Sequence, residues 1–164
     1  MIRIAMGDIT DQQVDAIVNS ANESLWAGGG VCGAIHAAAG PELERACRAI
    51  GGCPTGEAVI TPGFRLKSRF VIHAVGPRWR GGAHGEVDLL ERCYGSLLRV
   101  AAENGIRSLA IPSISTGIYR FPLEAAAAIA MRVLRGGDRE DLDVRMVCFD
   151  ALTLEAYEEA LRAG

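Results

Sequence analysis

Short runs of consecutive apolar residues alternate along the chain with longer segments in which apolar residues recur every three or four positions. The short runs, at 2–6, 16–19, 58–61, 70–74, 108–111 and 144–149, are rich in Val, Ile and Phe and predict β-strands. Most are apolar without alternation, the pattern of strands covered on both faces. The longer segments, at 33–39, 41–49, 88–104, 123–134 and 153–162, predict helices. The third has the clearest ends. Glu86, Asp88 and Glu91 stand at its head, where carboxylates complement the helix dipole, and Asn104-Gly105 stands at its tail. Pro122 and Gly136-Gly137 bracket the fourth. Strands alternating with helices predict an α/β fold, a three-layer α/β/α sandwich around a mixed, largely parallel sheet. The first strand and the one at 58–61 are the candidates for antiparallel pairing. Neither a repeat nor a linker breaks the order, so one domain spanning 1–164 is expected, with 78–85 as an exposed loop.

Ligands in such sheets gather beyond the carboxyl ends of the strands. The loops expected there follow Met6, Val18, Ile111 and Cys148, and they are also the loops of unusual composition. After the second strand, Asn19-Ser-Ala-Asn22 leads through a polar insert to Gly28-Gly-Gly30 and an Ala-rich helix carrying Cys32 and His36. Glycines at a helix entrance leave backbone N–H groups open to an anion. The two amides upstream can donate and accept, as a sugar or an ordered water requires, although Asx-turns are the bland alternative. Gly28 to Gly33 also fits G-x-G-x-x-G. A dinucleotide fingerprint follows its strand at once, in the first βα turn, and here an insert intervenes after the second strand, which disfavours a nicotinamide enzyme. The loop Ser113-Ile-Ser-Thr-Gly-Ile-Tyr119 is a second anion-friendly segment, offering the hydroxyls of Ser115 and Thr116 and close approach at Gly117. Asp8 suits an exocyclic amine, or else a turn cap.

Composition narrows the reading. Of 164 residues, 49% are hydrophobic and 23% charged, ordinary globular usage. The formal net charge of −3 argues against holding nucleic acid through a broad basic surface, but not against a small phosphate-bearing ligand. Five scattered cysteines, with no CxxC pair, no signal-like segment and no membrane-length apolar run, point to reduced thiols and a cytoplasmic setting. Cys32 and His36 share a helix face, but no further ligands stand nearby, so neither a metal nor another cofactor is expected.

Taken together, Gly7-Asp-Ile-Thr10, Val14-Asp-Ala-Ile-Val-Asn-Ser-Ala-Asn22, Gly28-Gly-Gly-Val-Cys-Gly-Ala-Ile-His36, Thr55-Gly-Glu-Ala58, Val71-Ile-His-Ala-Val-Gly-Pro77 and Pro112-Ser-Ile-Ser-Thr-Gly-Ile-Tyr-Arg-Phe-Pro122 resemble a macrodomain, the ADP-ribose-binding α/β/α fold, and within it the MacroD-type class. The resemblance runs in order through essentially the whole chain. It implies that Asp8 binds the adenine amine while Ile9 and Phe149 pack on the adenine ring. Gly29, Gly30 and Val31 would approach the diphosphate from one side, and Ser115, Thr116, Gly117, Ile118 and Tyr119 from the other. Asn22 would hold the distal ribose and Tyr119 would press it into a reactive orientation. The implied partners are ADP-ribose and mono-ADP-ribosylated proteins; no membrane is implied and nothing suggests an obligate oligomer.

Members of this class hydrolyse ADP-ribose esters, on Asp or Glu side chains or in O-acetyl-ADP-ribose. Their Gly-Gly-Gly-Val-Asp-Gly pattern carries an Asp where this chain has Cys32, so the implied catalytic set is Asn22, Cys32 and Tyr119. A thiol is ordinarily neutral at pH 7 and a poor acceptor beside a carboxylate. Two functions follow: a slow hydrolase whose water is positioned by substrate, or a reader of ADP-ribose with little turnover. At the mouth of the site Cys32 would also be open to oxidation. Arg120 is a second departure, at a position where glycine is usual.

Overall fold

The computed structural model describes residues 1–137 and 139–164. Six strands, β1 (Ile2–Met6), β2 (Ala16–Ser20), β3 (Ala58–Pro62), β4 (Phe70–Ala74), β5 (Ser108–Ile111) and β6 (Asp143–Cys148), form one sheet in the order β1-β6-β5-β2-β4-β3. Five helices accompany them: α1 (Gly30–Ala39), α2 (Pro41–Ile50), α3 (Glu86–Glu103), α4 (Leu123–Gly136) and α5 (Ala151–Ala163). The arrangement is the expected three-layer sandwich. Side-chain alternation divides each inner strand between two cores. In β2, Ala16 and Val18 face α3, α4 and α5, while Ile17 faces α1 and α2; in β5, Leu109 and Ile111 take the first side and Ala110 the second.

Among the described residues only β3 runs antiparallel, against β4. The 63–69 turn between them is too short for a parallel crossover, so the pair closes as a hairpin. The expectation for the first strand fails. β1 lies at the opposite edge, parallel to β6, with Ile2 opposite Val144 and Met6 opposite Cys148. Its partner is the last strand of the sheet, so no hairpin turn dictates its direction. Nor is β1 covered on both faces: Ile2 and Ile4 pack on the α5 side, whereas Arg3 and Ala5 are exposed. From β1 the chain reaches parallel β2 without a helix. Residues 7–15 cross with a single 3-10 turn (Ile9–Asp11), burying Ile9 and Val14 against Val147 and Ala110.

Three helix starts also differ from the sequence pattern. α1 begins at Gly30, α3 at Glu86 and α5 at Ala151. Each gains two or three residues from its N-terminal loop, and α5 is capped by Asp150, whose side chain accepts from Thr153 N at 2.8 Å. β6 correspondingly ends at Cys148, leaving Phe149 outside the sheet. No helix among the described residues is long and apolar enough to cross a membrane.

Candidate functional site

Because β1, β6, β5, β2 and β4 are parallel, their carboxyl ends share one edge, and every loop that leaves them opens there. Gly7 N donates to Cys148 O at 3.0 Å, so the loops after β1 and β6 lie together and bring Asp8 near Phe149. Asp8 caps the 3-10 turn: its Oδ1 accepts from Thr10 Oγ1 at 2.7 Å and Thr10 N at 2.8 Å. Those two hydrogen bonds lower the pKa of its carboxyl below the ordinary value, against a weaker opposing effect of burial. Its Oδ2 remains open, so capping and ligand contact are compatible. Phe149 is 87% exposed, whereas Ile9 is 6% exposed and sits in the core. Of the two residues expected on an aromatic base, only Phe149 offers a free face.

The β2–α1 loop is built by Asn22. Its Oδ1 accepts from Trp26 N at 3.1 Å and its Nδ2 donates to Trp26 O at 3.0 Å. This closes the turn and leaves one amide hydrogen and one lone pair for a ligand. The glycines then enter α1 directly. Gly30 has φ +57°, a region that favours glycine. A Cβ on Gly33 would lie 2.4 Å from the Gly28 carbonyl oxygen, so the loop folds onto the helix only without a side chain there.

The 112–122 loop is closed by Phe121 N to Ser115 O at 2.9 Å and Arg120 N to Gly117 O at 3.0 Å. Ser115 and Arg120 bracket it at φ +68° and +61°. Its hydroxyls do not face the cleft as expected. Ser115 Oγ is buried behind the loop beside Gly76, without a hydrogen-bond partner. Thr116 Oγ1 bonds Ser113 Oγ at 2.6 Å, which in turn bonds Tyr157 Oη at 2.8 Å. Ser113 and Thr116 brace the loop from inside and Ser115 Oγ is packed behind it, so the backbone N–H groups are what it can present to an anion. Ile118, 77% exposed, reaches across to the glycine loop: its Cδ1 lies 3.5 Å from where a Cβ on Gly29 would be. Between the loops is a cavity of about 200 Å³ lined by Asn22, Gly30, Val31, Cys32, Ser115 and Tyr119, among others.

Cys32 does not stand at the mouth. It is 6% exposed, donates its thiol to Trp26 O at 3.4 Å and accepts from Asn19 Nδ2 at 3.6 Å. The same amide meets His73 Nδ1 at 3.1 Å, and His73 Nε2 pairs with Thr61 Oγ1 at 2.9 Å. Burial, followed by the neighbouring His36, pushes His73 down to about 3, so its ring is neutral. His36 is packed between α1 and the sheet with neither ring nitrogen hydrogen-bonded; burial lowers its pKa too, partly offset by Glu44. Among the described residues no group of three or more His, Cys, Asp or Glu is placed to hold a metal ion.

One part of the edge lies outside the loops singled out in the sequence. Beyond Asn22 and Tyr119 a second cavity, about 410 Å³, is lined by Glu23, Thr55, Arg78, Arg80, His84 and Glu86 in addition to those two. Glu86 organises the 78–85 loop: its carboxylate accepts from Arg80 N at 2.9 Å, Gly82 N at 2.8 Å and His84 N at 2.6 Å. Burial pushes this carboxyl up, but the converging N–H groups outweigh it and hold it at about 2. Arg78 stacks over Tyr119, 5.1 Å from the ring centroid, and Trp79 N donates to Tyr119 O at 2.8 Å. The signal was available: β4 is parallel as well, so its exit through Val75-Gly-Pro-Arg78 had to reach the same edge.

The Macro domain family pattern matches residues 18–130. A Macro domain-containing protein of Chlorobaculum tepidum is 53% identical over all of this chain and 97% of its own length. One of Lactiplantibacillus plantarum is 51% identical over 99% of this chain and 96% of its own. Among solved structures, a variant of the Oceanobacillus iheyensis macrodomain with ADPR superposes with a TM-score of 0.93 at 41% identity, covering 98% of this chain and 91% of that one. The Trypanosoma brucei macrodomain in complex with ADP-ribose gives 0.91 at 41% identity, covering 98% of this chain and 68% of that one.

Proposed function

The chain belongs to the Macro domain family, and from that premise we propose that its cleft binds ADP-ribose and hydrolyses ester-linked ADP-ribose in the manner of the MacroD-type class. The substrates are mono-ADP-ribosylated Asp or Glu side chains and O-acetyl-ADP-ribose. The observation that carries the reading is the meeting of two backbone-presenting loops, Gly29–Val31 and Ser115–Ile118, at one sheet edge, with Asp8 and Phe149 on one side and Asn22 and Tyr119 on the other. A diphosphate between the loops takes N–H donors at the start of α1 and from the strained loop opposite. Asp8 Oδ2 accepts from the adenine amine and Phe149 covers the ring. The remaining Asn22 amide hydrogen meets the distal ribose, held by Tyr119 beneath Arg78.

Because residue 32 is a cysteine, its thiol bonded to Trp26 O and Asn19 Nδ2, no carboxylate assists at that position. The attacking water is aligned by Asn22 and the substrate's own phosphate, and the loss of general-base help slows turnover by about 10²–10⁴-fold. The test is release of ADP-ribose from a Glu-ADP-ribosylated protein. The control is Gly117→Glu, which sets a carboxylate on the open side of the phosphate loop. Wild-type release equal to that control refutes hydrolysis. Faster release by Cys32→Asp is expected. The inward bonding of Cys32 also favours a second reading, a reader that binds without turnover; tight ADP-ribose binding by the wild type, with release no greater than that of the control, supports it instead.

A further inference from the structure

The larger cavity lies on the far side of Asn22 and Tyr119 from the diphosphate loops, and the two cavities share those residues as a common wall. A distal ribose held there directs its attached group away from the phosphates, into the second cavity. At about 410 Å³ the cavity is the size of a small-ligand site, far more than an acetyl group fills. Its charges are arranged unevenly. Glu86 is turned into the 78–85 loop and its oxygens are taken up by three N–H donors, while Glu23, on another segment of the wall, lies 3.4 Å from Thr55 N. By contrast, Arg80 and His84 present side chains with no hydrogen bond or ion pair among the described residues, and Arg78 has only the Tyr119 ring. The Glu86 contacts fix the backbone of this loop, so the two guanidinium groups and the imidazole are held at the rim rather than on a wandering segment.

We infer that this cavity is the acceptor subsite: it receives the modified side chain and the neighbouring residues of the ADP-ribosylated protein, and its Arg78–Arg80–His84 wall selects an acidic segment. The inference rests on the ADP-ribose reading above. It also fits the product. Ester hydrolysis consumes one water and leaves a hydroxyl on the ribose, a carboxylate on the acceptor and one proton; the carboxylate then faces two guanidinium groups.

Binding tests it apart from turnover. Three probes are titrated into the full chain: free ADP-ribose, a peptide carrying ADP-ribose through a non-hydrolysable linkage with acidic flanks, and the same peptide with neutral flanks. The wild type should bind the acidic peptide about tenfold more tightly than the neutral one, the worth of one charge-assisted hydrogen bond, and added salt should narrow the gap. Arg80→Glu should abolish or reverse the preference while leaving the Kd of free ADP-ribose within twofold; its backbone contact to Glu86 is independent of the side chain. Normal ADP-ribose binding with equal affinity for both peptides in wild type overturns the subsite and leaves the ADP-ribose reading standing. An unchanged preference in Arg80→Glu overturns the cationic wall. Failure of wild type to bind ADP-ribose overturns both.

Discussion

Gly76 tests whether the phosphate-facing loop is held in place from behind. It lies in the buried exit of β4, and a Cβ there would come 2.2 Å from Ser115 Oγ and 2.6 Å from Ile114 Cγ2. Normal contact needs about 3.5–4.0 Å, so Gly76→Ala forces the 114–115 backbone or its side chains to retreat by about 1 Å. Ser115 has little freedom to absorb this, because it is already in the left-handed region and its carbonyl is bonded to Phe121 N. Overpacking of this kind costs about 1–3 kcal/mol. At the midpoint, about 2 kcal/mol, Tm falls by about 4–8 °C for a chain of this size. If the N–H groups of the loop meet the diphosphate, losing one charge-assisted hydrogen bond of about 1.5–3 kcal/mol weakens ADP-ribose about tenfold to a hundredfold. Calorimetric titration with a parallel thermal melt reads both effects. Gly95→Ala, on the exposed face of α3 with nothing within 4 Å, is the control and should stabilise by up to ~1 kcal/mol. An unchanged Tm together with a Kd within twofold of wild type refutes the bracing argument.

Arg120→Gly should stabilise by about 0.5–1 kcal/mol. Relief of a left-handed residue at φ +61° gives ~1–2 kcal/mol, and the added freedom of glycine in the unfolded chain offsets part of it; a lower urea midpoint counts against this. Stability should fall on acidification in two windows. His73, held neutral in the fold down to about 3, takes up a proton in the unfolded chain near 6.5, so its contribution is present above 6.5 and is lost as pH falls toward 3. Glu86 adds a later loss, from its ordinary 4.5 down to about 2, which Glu86→Gln should flatten; urea midpoints that stay level from pH 6.5 to 2 contradict both. All five cysteines are free and buried, with Cys93 pushed by burial up to about 12 and Cys47 and Cys148 up to about 11. A thiol reagent should therefore label the native protein slowly and the unfolded protein at once, and rapid native labelling of Cys32 would restore an exposed, oxidisable thiol at the site.

The elements of the site were legible where local chemistry and ligand chemistry coincide. Asp8 reads as a cap or an amine acceptor, and it caps through Oδ1 with Oδ2 open. The glycines read as an open helix entrance, and the Gly28 carbonyl packed against Gly33 shows why no other residue serves there. Where a side chain had two possible directions, the sequence could not choose. Ser115 and Thr116 looked like phosphate donors, but Thr116 braces its own loop through Ser113, and Ser115 Oγ is packed behind the loop against Gly76 without a hydrogen-bond partner, because packing decides which way a hydroxyl turns. Cys32 stood in the right motif, yet its direction was decided by Trp26 O and Asn19, which converge on it only in the folded chain.

By itself, the sequence determined the alternation of strands and helices, the layers they stack into, and the family to which the chain belongs. These follow from apolar periodicity and short motifs, both of which are local. The tertiary structure alone decided that β1 runs parallel beside β6, across some 140 residues of chain, and that the β4 exit carries Arg78, Arg80 and Glu86 to the same edge as the glycine loops. It also buried His73 beneath Asn19. Each depends on which groups meet across the sheet, and hydrophobic patterning fixes the face of a residue without fixing its neighbour.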